Sequence, residues 1–362
     1  MSKFHPENEA IKRRYAFRLE AAFGKQPSTV DSVLKAIERF EMSTGHKPFR
    51  KFHLEQVRSF RTKLAEQTNA NGQPLSAASI ASTLRRLRDF FLWLSQEPGF
   101  RSRINPNDVQ HFLPSDQDRR IAQARREKHV PTLDDIKLVL SAMPCANDIE
   151  IRDRAIIAFT ILTGARDGAI SSFRLKHLSL EKESLFQDAR EVRTKNRKSF
   201  VSYFFPVGPE PLDIVSQYVA RLKELGFGPD DPLFPATRIE HDSHRGFAAT
   251  GLSRSMWRTA EPIRAIFRKA FALAGLPYAN PHSFRSTLVR LGEGLCHTPE
   301  SWKAWSQNLG HESEATTFVG YGQVPGSRQA QLLRELAVQT ERRPEHLEIL
   351  VKAFLSKLGV AI

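Results

Sequence analysis

The sequence predicts a mainly α-helical protein of two domains, the second holding a small β-sheet or hairpin. Three observations predict it. Apolar residues recur every three or four positions through most of the first hundred residues, as amphipathic helices require. A charge-rich, apolar-poor stretch at 115–129 then breaks the pattern and reads as a linker. Over 185–205 the period shortens towards two, the alternation of a strand pair. At 362 residues the chain is long enough to bury two cores.

Four helices are predicted in the first domain, 1–114. The stretch 7–23 carries Ile11, Tyr15, Leu19 and Phe23 at i, i+4 spacing. The next, 28–42, carries Val33, Ile37 and Phe40, with Ser28 or Thr29 as its expected cap. Residues 54–67 place Val57, Phe60 and Leu64 on one face. The longest, 76–96, buries Ile80, Leu84, Leu87, Phe91 and Leu94, and carries Arg85, Arg86 and Arg88 beside that stripe. The aromatic residues read as core, which leaves the arginines as the candidates for phosphate contact. In the linker, Arg119, Arg120, Arg125, Arg126 and Lys128 make a second cationic group.

The second domain, 130–343, opens with Thr132 capping a helix to Met143, with Asp134 and Asp135 in its first turn. An apolar helix at 152–163 follows. Glu191, Arg193 and Lys195 alternate with Val192 and Thr194, and 200–205 is β-prone, so a hairpin is expected with 196–198 as its turn and Lys195 near the tip. A polar excursion at 238–251 precedes a helix at 256–274, and Pro281 opens another helix. At 344–362 a terminal helix is expected, with Leu347, Leu350, Val351, Phe354, Leu355 and Leu358 forming a broad apolar stripe.

The net charge is +14, and residues 1–128 hold 24 of the 54 Lys+Arg and 14 of the 40 Asp+Glu, a net +10 that leaves +4 for the rest. Such a bias suits a polyanionic partner whose counterions are released on binding. Two cysteines form no framework, and the sequence has no apolar run long enough for a bilayer, so a reducing, cytoplasmic, nucleoid-associated location and no membrane partner are expected. No metal-ligand spacing, P-loop or nucleophile elbow occurs, and no cofactor is expected.

Cleaving a phosphodiester without a metal requires cations at the non-bridging oxygens, a nucleophile, and a proton donor for the leaving oxygen. Arg166 and Arg285 suit the clamp, because each planar guanidinium stays charged and presents paired donors. His282 lies one helical turn before Arg285 and shares its face. Lys195 is the candidate general acid, with Arg197 and Lys198 as neighbours competing for that role. Tyr321 is the candidate nucleophile: it is one of five tyrosines, follows His311, and stands between Gly320 and Gly322.

Taken in order, Arg166 in Thr163-Gly164-Ala165-Arg166, Lys195 in Arg193-Thr194-Lys195-Asn196, His282 and Arg285 in His282-Ser283-Phe284-Arg285, His311 in Leu309-Gly310-His311, and Tyr321 resemble the tyrosine recombinase (phage integrase) family. Ala169 stands where the family's common motif has glutamate, and ten residues separate His311 from Tyr321, one more than the commonest spacing. The resemblance implies a helical core-binding clamp followed by a mixed, mostly helical catalytic domain. It implies that Tyr321 forms a 3′-phosphotyrosine at a double-stranded recombination site, as in integration or excision of a mobile element. It further implies a synaptic homotetramer, with accessory DNA-bending or directionality factors as further partners, and a terminal helix passing between protomers. A type IB topoisomerase-like relaxing enzyme and a non-catalytic DNA-binding protein of recombinase ancestry are the alternatives. Retention of all six groups speaks against the second of these.

Overall fold

The computed structural model describes residues 4–69, 72–113, 129–194, 197–241 and 246–310. Two compact units divide the chain, Met1–Arg126 and Glu127–Ile362. Apart from His129, the predicted linker at 115–129 lies outside the described residues, as does the predicted helix at 344–362.

The first unit is helical: α1 (Pro6–Ala21), α2 (Pro27–Ser43), α3 (Leu54–Glu66), α4 (Ala77–Leu94) and a short α5 (Pro106–Gln110). Proline opens α1, α2 and α5, where the missing N–H costs no hydrogen bond and φ is already helical. Pro27 therefore shifts the cap of α2 to Gln26, ahead of the expected Ser28 or Thr29. Ser76 caps α4 by accepting from the Ser79 N–H. Phe60, Phe90, Phe91 and Phe112 are fully buried. Their rings meet mostly edge to face around Phe40, at 5.4 Å to Phe60 and 5.1 Å to Phe91, while Phe52 stacks on Phe91 at 4.4 Å. The aromatic stripe is core, and each such ring contributes about 1.5–3 kcal/mol of burial. One polar group enters this interior fully satisfied: Asn8 donates to Glu41 Oε1 at 2.9 Å and the Lys47 carbonyl at 3.0 Å, and accepts from the Phe49 N–H at 3.0 Å.

The second unit is built around α7 (Asp148–Thr163), whose residues from Ala155 to Thr163 are buried on every side. It packs against α6 (Leu133–Ala142), α9 (Pro209–Glu224), α10 (Glu261–Leu273) and α11 (Pro281–Leu295). A helix hydrophobic all round must be central, and this one is. Thr132 caps α6 as expected, its Oγ1 accepting from the Asp135 N–H at 3.1 Å while the Asp135 carboxylate accepts from the Thr132 N–H at 2.8 Å. A short α8 (Asp167–Ile170) and α12 (Pro299–Asn308) complete the described α-helices. No described helix is long and apolar enough to cross a membrane.

The sheet differs from the expected hairpin. Its antiparallel order is β1 (Leu178–Ser179), β2 (Ser184–Gln187) and β3 (Phe200–Tyr203), with Leu185 opposite Ser202 and Gln187 opposite Phe200. The partner of β3 is thus 184–187, and the described residues 191–194 form no strand. The Asp188 carbonyl instead accepts from Glu191 N at 3.1 Å and Val192 N at 2.7 Å, which curls the chain into a turn. The Glu191 carboxylate is taken by Lys176 at 2.9 Å. The alternation of polar residues there reflects partners on other elements and not a pleat. A second difference is that the polar excursion at 238–251 holds a hairpin, β4 (Thr237–His241) against β5 (Phe247–Leu252). The helix expected from 256 starts at Glu261, with Pro262 in its first turn.

Candidate active site

Arg285 organises the centre of the second unit. Pro281 opens α11, and Asn280 caps it by accepting from the Ser283 N–H at 3.1 Å, so Arg285 falls in the second turn. Its side chain points inward and is 2 % exposed. Nη1 donates to the Gly164 carbonyl and Nη2 to the Leu309 carbonyl, both at 2.6 Å. The two carbonyls end α7 and α12. One guanidinium therefore pins together three segments: the turn that carries Arg166, the turn that leads into His311, and the helix start that carries His282.

Each of these turns has a local cause. Gly164 ends α7 with φ +62°, a backbone conformation that favours glycine, and a Cβ there would also crowd Leu288 and Leu309 at 3.1 Å. Arg166, two residues on, is the extended residue that caps α8 and is half-buried. Gly310 follows Leu309 with φ +67°, and a Cβ there would stand 2.6 Å from the ring of Phe200 on β3. Asn308, at the end of α12, ties the same turn to the sheet: its Oδ1 accepts from the Tyr203 N–H at 2.6 Å and its Nδ2 donates to the Tyr203 carbonyl at 2.9 Å. The side-chain amide thus copies a strand partner on the outer edge of β3. His282 is exposed, one turn before Arg285 on the same helix. Lys195, His311 and Tyr321 lie outside the described residues, although Thr194, which precedes Lys195, and Gly310, which precedes His311, are described.

The position of the family's glutamate, Ala169, is buried in the core. Asp167 is engaged by the Gly168 N–H at 2.8 Å and by Arg264 Nε on α10 at 2.8 Å. Nothing in the sequence singled out Arg264 or Asn308. Arg264 sits 97 positions from Asp167, and an asparagine at a helix end ordinarily reads as a cap.

In the first unit, the three arginines of α4 separate. Arg86 lines a cleft of about 440 Å³ between α2 and α4 together with Lys35, Arg39, Ser79 and Thr83. Arg85 is exposed on α4. Arg88 is turned towards α5 and donates to Gln110 Oε1 at 3.0 Å and Asp89 Oδ1 at 3.4 Å. Lys35 and Arg39 were missed from sequence because they stand four apart on an otherwise ordinary amphipathic helix. Arg119, Arg120, Arg125, Arg126 and Lys128 lie outside the described residues.

Comparison with known proteins finds likeness in sequence and in fold. No protein-family model matches the chain. A tyrosine recombinase XerC from Lactobacillus leichmannii is 23% identical over 254 residues, which cover 69% of this chain and 74% of that protein. The XerC of Escherichia coli O157:H7 is 24% identical over 246 residues, 66% of this chain and 72% of its own length. Among solved structures, a λ integrase dimer bound to a COC′ core site aligns with a TM-score of 0.59 at 16% identity, covering 88% of this chain and 96% of that one. The Tn1549 transposon integrase in complex with transposon right-end DNA aligns with a TM-score of 0.55 at 16% identity, covering 90% and 99%. The fold is that of λ integrase, mainly helical with small antiparallel sheets. The chain is thus similar in sequence to XerC tyrosine recombinases and shares the fold of λ integrase.

Proposed function

We propose that this protein is a site-specific DNA recombinase that cleaves and rejoins strands through a phosphotyrosine, using Arg166, Lys195, His282, Arg285, His311 and Tyr321. The observation that carries the reading is the Arg285 bridge between the Gly164 and Leu309 carbonyls, because it draws together the chain segments that bear four of the six groups.

In this reading Tyr321 Oη attacks the scissile phosphorus as its proton passes towards His282. Arg166 and Arg285 stabilise charge building on the non-bridging oxygens, and His311 hydrogen-bonds the same group. Lys195 gives its ammonium proton to the departing 5′ oxygen while the P–O5′ bond breaks. The 3′-phosphotyrosine retains the bond energy, so a 5′-hydroxyl from a partner strand reverses the step and joins the new strands. The first unit clamps the duplex, with Lys35, Arg39 and Arg86 against phosphates. Domain limits near 114 and 129, a tetrameric synapse, accessory bending or directionality factors, and a terminal helix at 344–362 that docks on a neighbouring protomer belong to the same proposal.

The test is to trap a covalent adduct on a nicked suicide substrate carrying the element's own end sequence. Wild-type protein is expected to form the adduct, and Tyr321→Phe to bind the DNA with near-normal affinity without forming it. An adduct that persists in Tyr321→Phe, or maps to Tyr218 or Tyr278, overturns the assignment.

A further inference from the structure

The chain that enters the Lys195 loop is fastened at Arg193. The Arg193 N–H donates to Ser172 Oγ at 2.9 Å. Its Nη1 donates to the carbonyls of Arg258 at 2.7 Å and Trp257 at 3.2 Å, with Ser171 Oγ at 3.5 Å. Ser171 and Ser172 directly follow α8, the turn that Arg166 caps, and their hydroxyls bond back to the Gly168 carbonyl at 2.8 Å and the Ala169 carbonyl at 3.0 Å. A Cβ added at Gly168 would stand 3.7 Å from the Arg193 carbonyl, so the two segments pass in van der Waals contact. Just upstream, Val192 is buried in the core. Downstream, among the described residues, Thr194 makes only local bonds: its N–H donates to the Val192 carbonyl at 2.7 Å and its carbonyl accepts from the Arg197 N–H at 3.4 Å. Arg193 is thus the last residue before Lys195 that is bound to the Arg166 turn. Two residues of chain span at most about 7 Å, so what fixes Arg193 limits where Lys195 can stand.

We propose that Arg193 is a positioning residue: it clamps the entry of the Lys195 loop to the Arg166 turn and sets the point from which the leaving oxygen receives its proton. This rests on the reading of Lys195 as the general acid. An arginine suits the task because a planar guanidinium reaches two successive carbonyls and a hydroxyl, whereas an ammonium acts as a point charge. When the clamp is lost, the Tyr321 Oη–P bond must form while the P–O5′ bond breaks without timely protonation, and an alkoxide leaves poorly. A 5′-bridging sulfur removes that need, since the P–S bond breaks to release a thiolate that needs no proton.

The experiment compares single-turnover cleavage of the natural substrate and its 5′-bridging phosphorothiolate analogue by full-length wild type, Arg193→Ala, Ser172→Ala and Lys195→Ala. Arg193→Ala is expected to slow the oxygen substrate by at least about tenfold, part of the roughly 10²–10⁴-fold that a general acid supplies, and to cleave the sulfur substrate within about twofold of wild type. Ser172→Ala, which cuts only the backbone half of the clamp, is expected to give the same pattern more weakly and decides the matter if Arg193→Ala does not fold. Equal slowing of both substrates by a folded Arg193→Ala, or by Ser172→Ala, overturns the inference and makes the contact merely structural. Lys195→Ala reports separately on the acid. If it is not rescued by sulfur while Arg193→Ala is, the clamp stands and the acid is another residue of the loop.

Discussion

Arg285 on α11 and Gly164 at the end of α7 lie 121 positions apart in sequence and are joined by a hydrogen bond of 2.6 Å. The same guanidinium reaches Leu309, 24 positions away in the other direction. A charge this deeply buried survives only with full hydrogen-bonding, and the two chain ends it satisfies are the ones that lead to Arg166 and His311.

The two arginines should therefore behave differently on substitution. Arg285→Ala should lose about 3–5 kcal/mol of stability, since two charge-assisted bonds are worth about 1.5–3 kcal/mol each and two buried carbonyls are left unpaired. Arg166→Ala, at a half-buried cap position, should lose less than about 1 kcal/mol while slowing cleavage by roughly 10²–10³. Urea melts beside single-turnover cleavage separate the two. Equal destabilisation by both substitutions would contradict the bridge.

Gly310→Ala should misplace the residue that follows it. The added methyl meets the Phe200 ring at 2.6 Å, and φ +67° already disfavours any side chain. The expected cost is about 2–4 kcal/mol, from left-handed strain plus overpacking. Pairing it with Phe200→Leu should recover part of that loss but not the strain. A double-mutant cycle on melting free energies measures the coupling, and a coupling near zero would mean the ring simply moves aside.

Lys35→Ala, Arg39→Ala and Arg86→Ala should each reduce the slope of log Kobs against log salt by about 0.9, as expected for one lost phosphate contact. Arg88→Ala should change it by less than half as much, because Gln110 and Asp89 already hold that side chain. Fluorescence anisotropy with a duplex at several salt concentrations gives the slopes. A larger change for Arg88→Ala than for the cleft residues would relocate the contact surface.

Acid should loosen the approach to the Lys195 loop. Burial pushes the His177 imidazole below its ordinary 6.5, with Lys176 and Arg174 adding to the effect against the pull of Glu191. The neutral ring is required, because Nδ1 accepts from the Arg174 N–H at 2.9 Å and cannot do so once protonated. A depressed folded value means the unfolded chain binds the extra proton first, so this contribution is present above about pH 6.5 and lost as pH falls through the folded value. His177→Gln should flatten that acid limb. Urea midpoints between pH 7.5 and pH 5, compared in the two proteins, test the sign; an unchanged limb would mean another group titrates.

Much of the architecture was legible in the residue order. Helical periods placed α1 to α4 and α7, Thr132 capped its helix as its side chain dictates, and proline and glycine marked the ends. The six basic and nucleophilic groups stood in a recognisable order because side-chain chemistry is written directly in the sequence. Strand pairing was less legible: Glu191 and Arg193 mimicked a pleat, since an alternation produced by an ion pair and by hydrogen bonds to other elements looks the same as one produced by a sheet. Which of the α4 arginines faces a cleft depended on what α2 and α5 bring beside it, so Lys35 and Arg39 went unmarked. What only the tertiary structure decided is how the site is held. The acceptors for Arg285 and for the Arg193 side chain are mostly backbone carbonyls, and every residue has one. A donor can be read from its letter, but an acceptor that is the same at all positions becomes visible only when folding brings it within 3 Å.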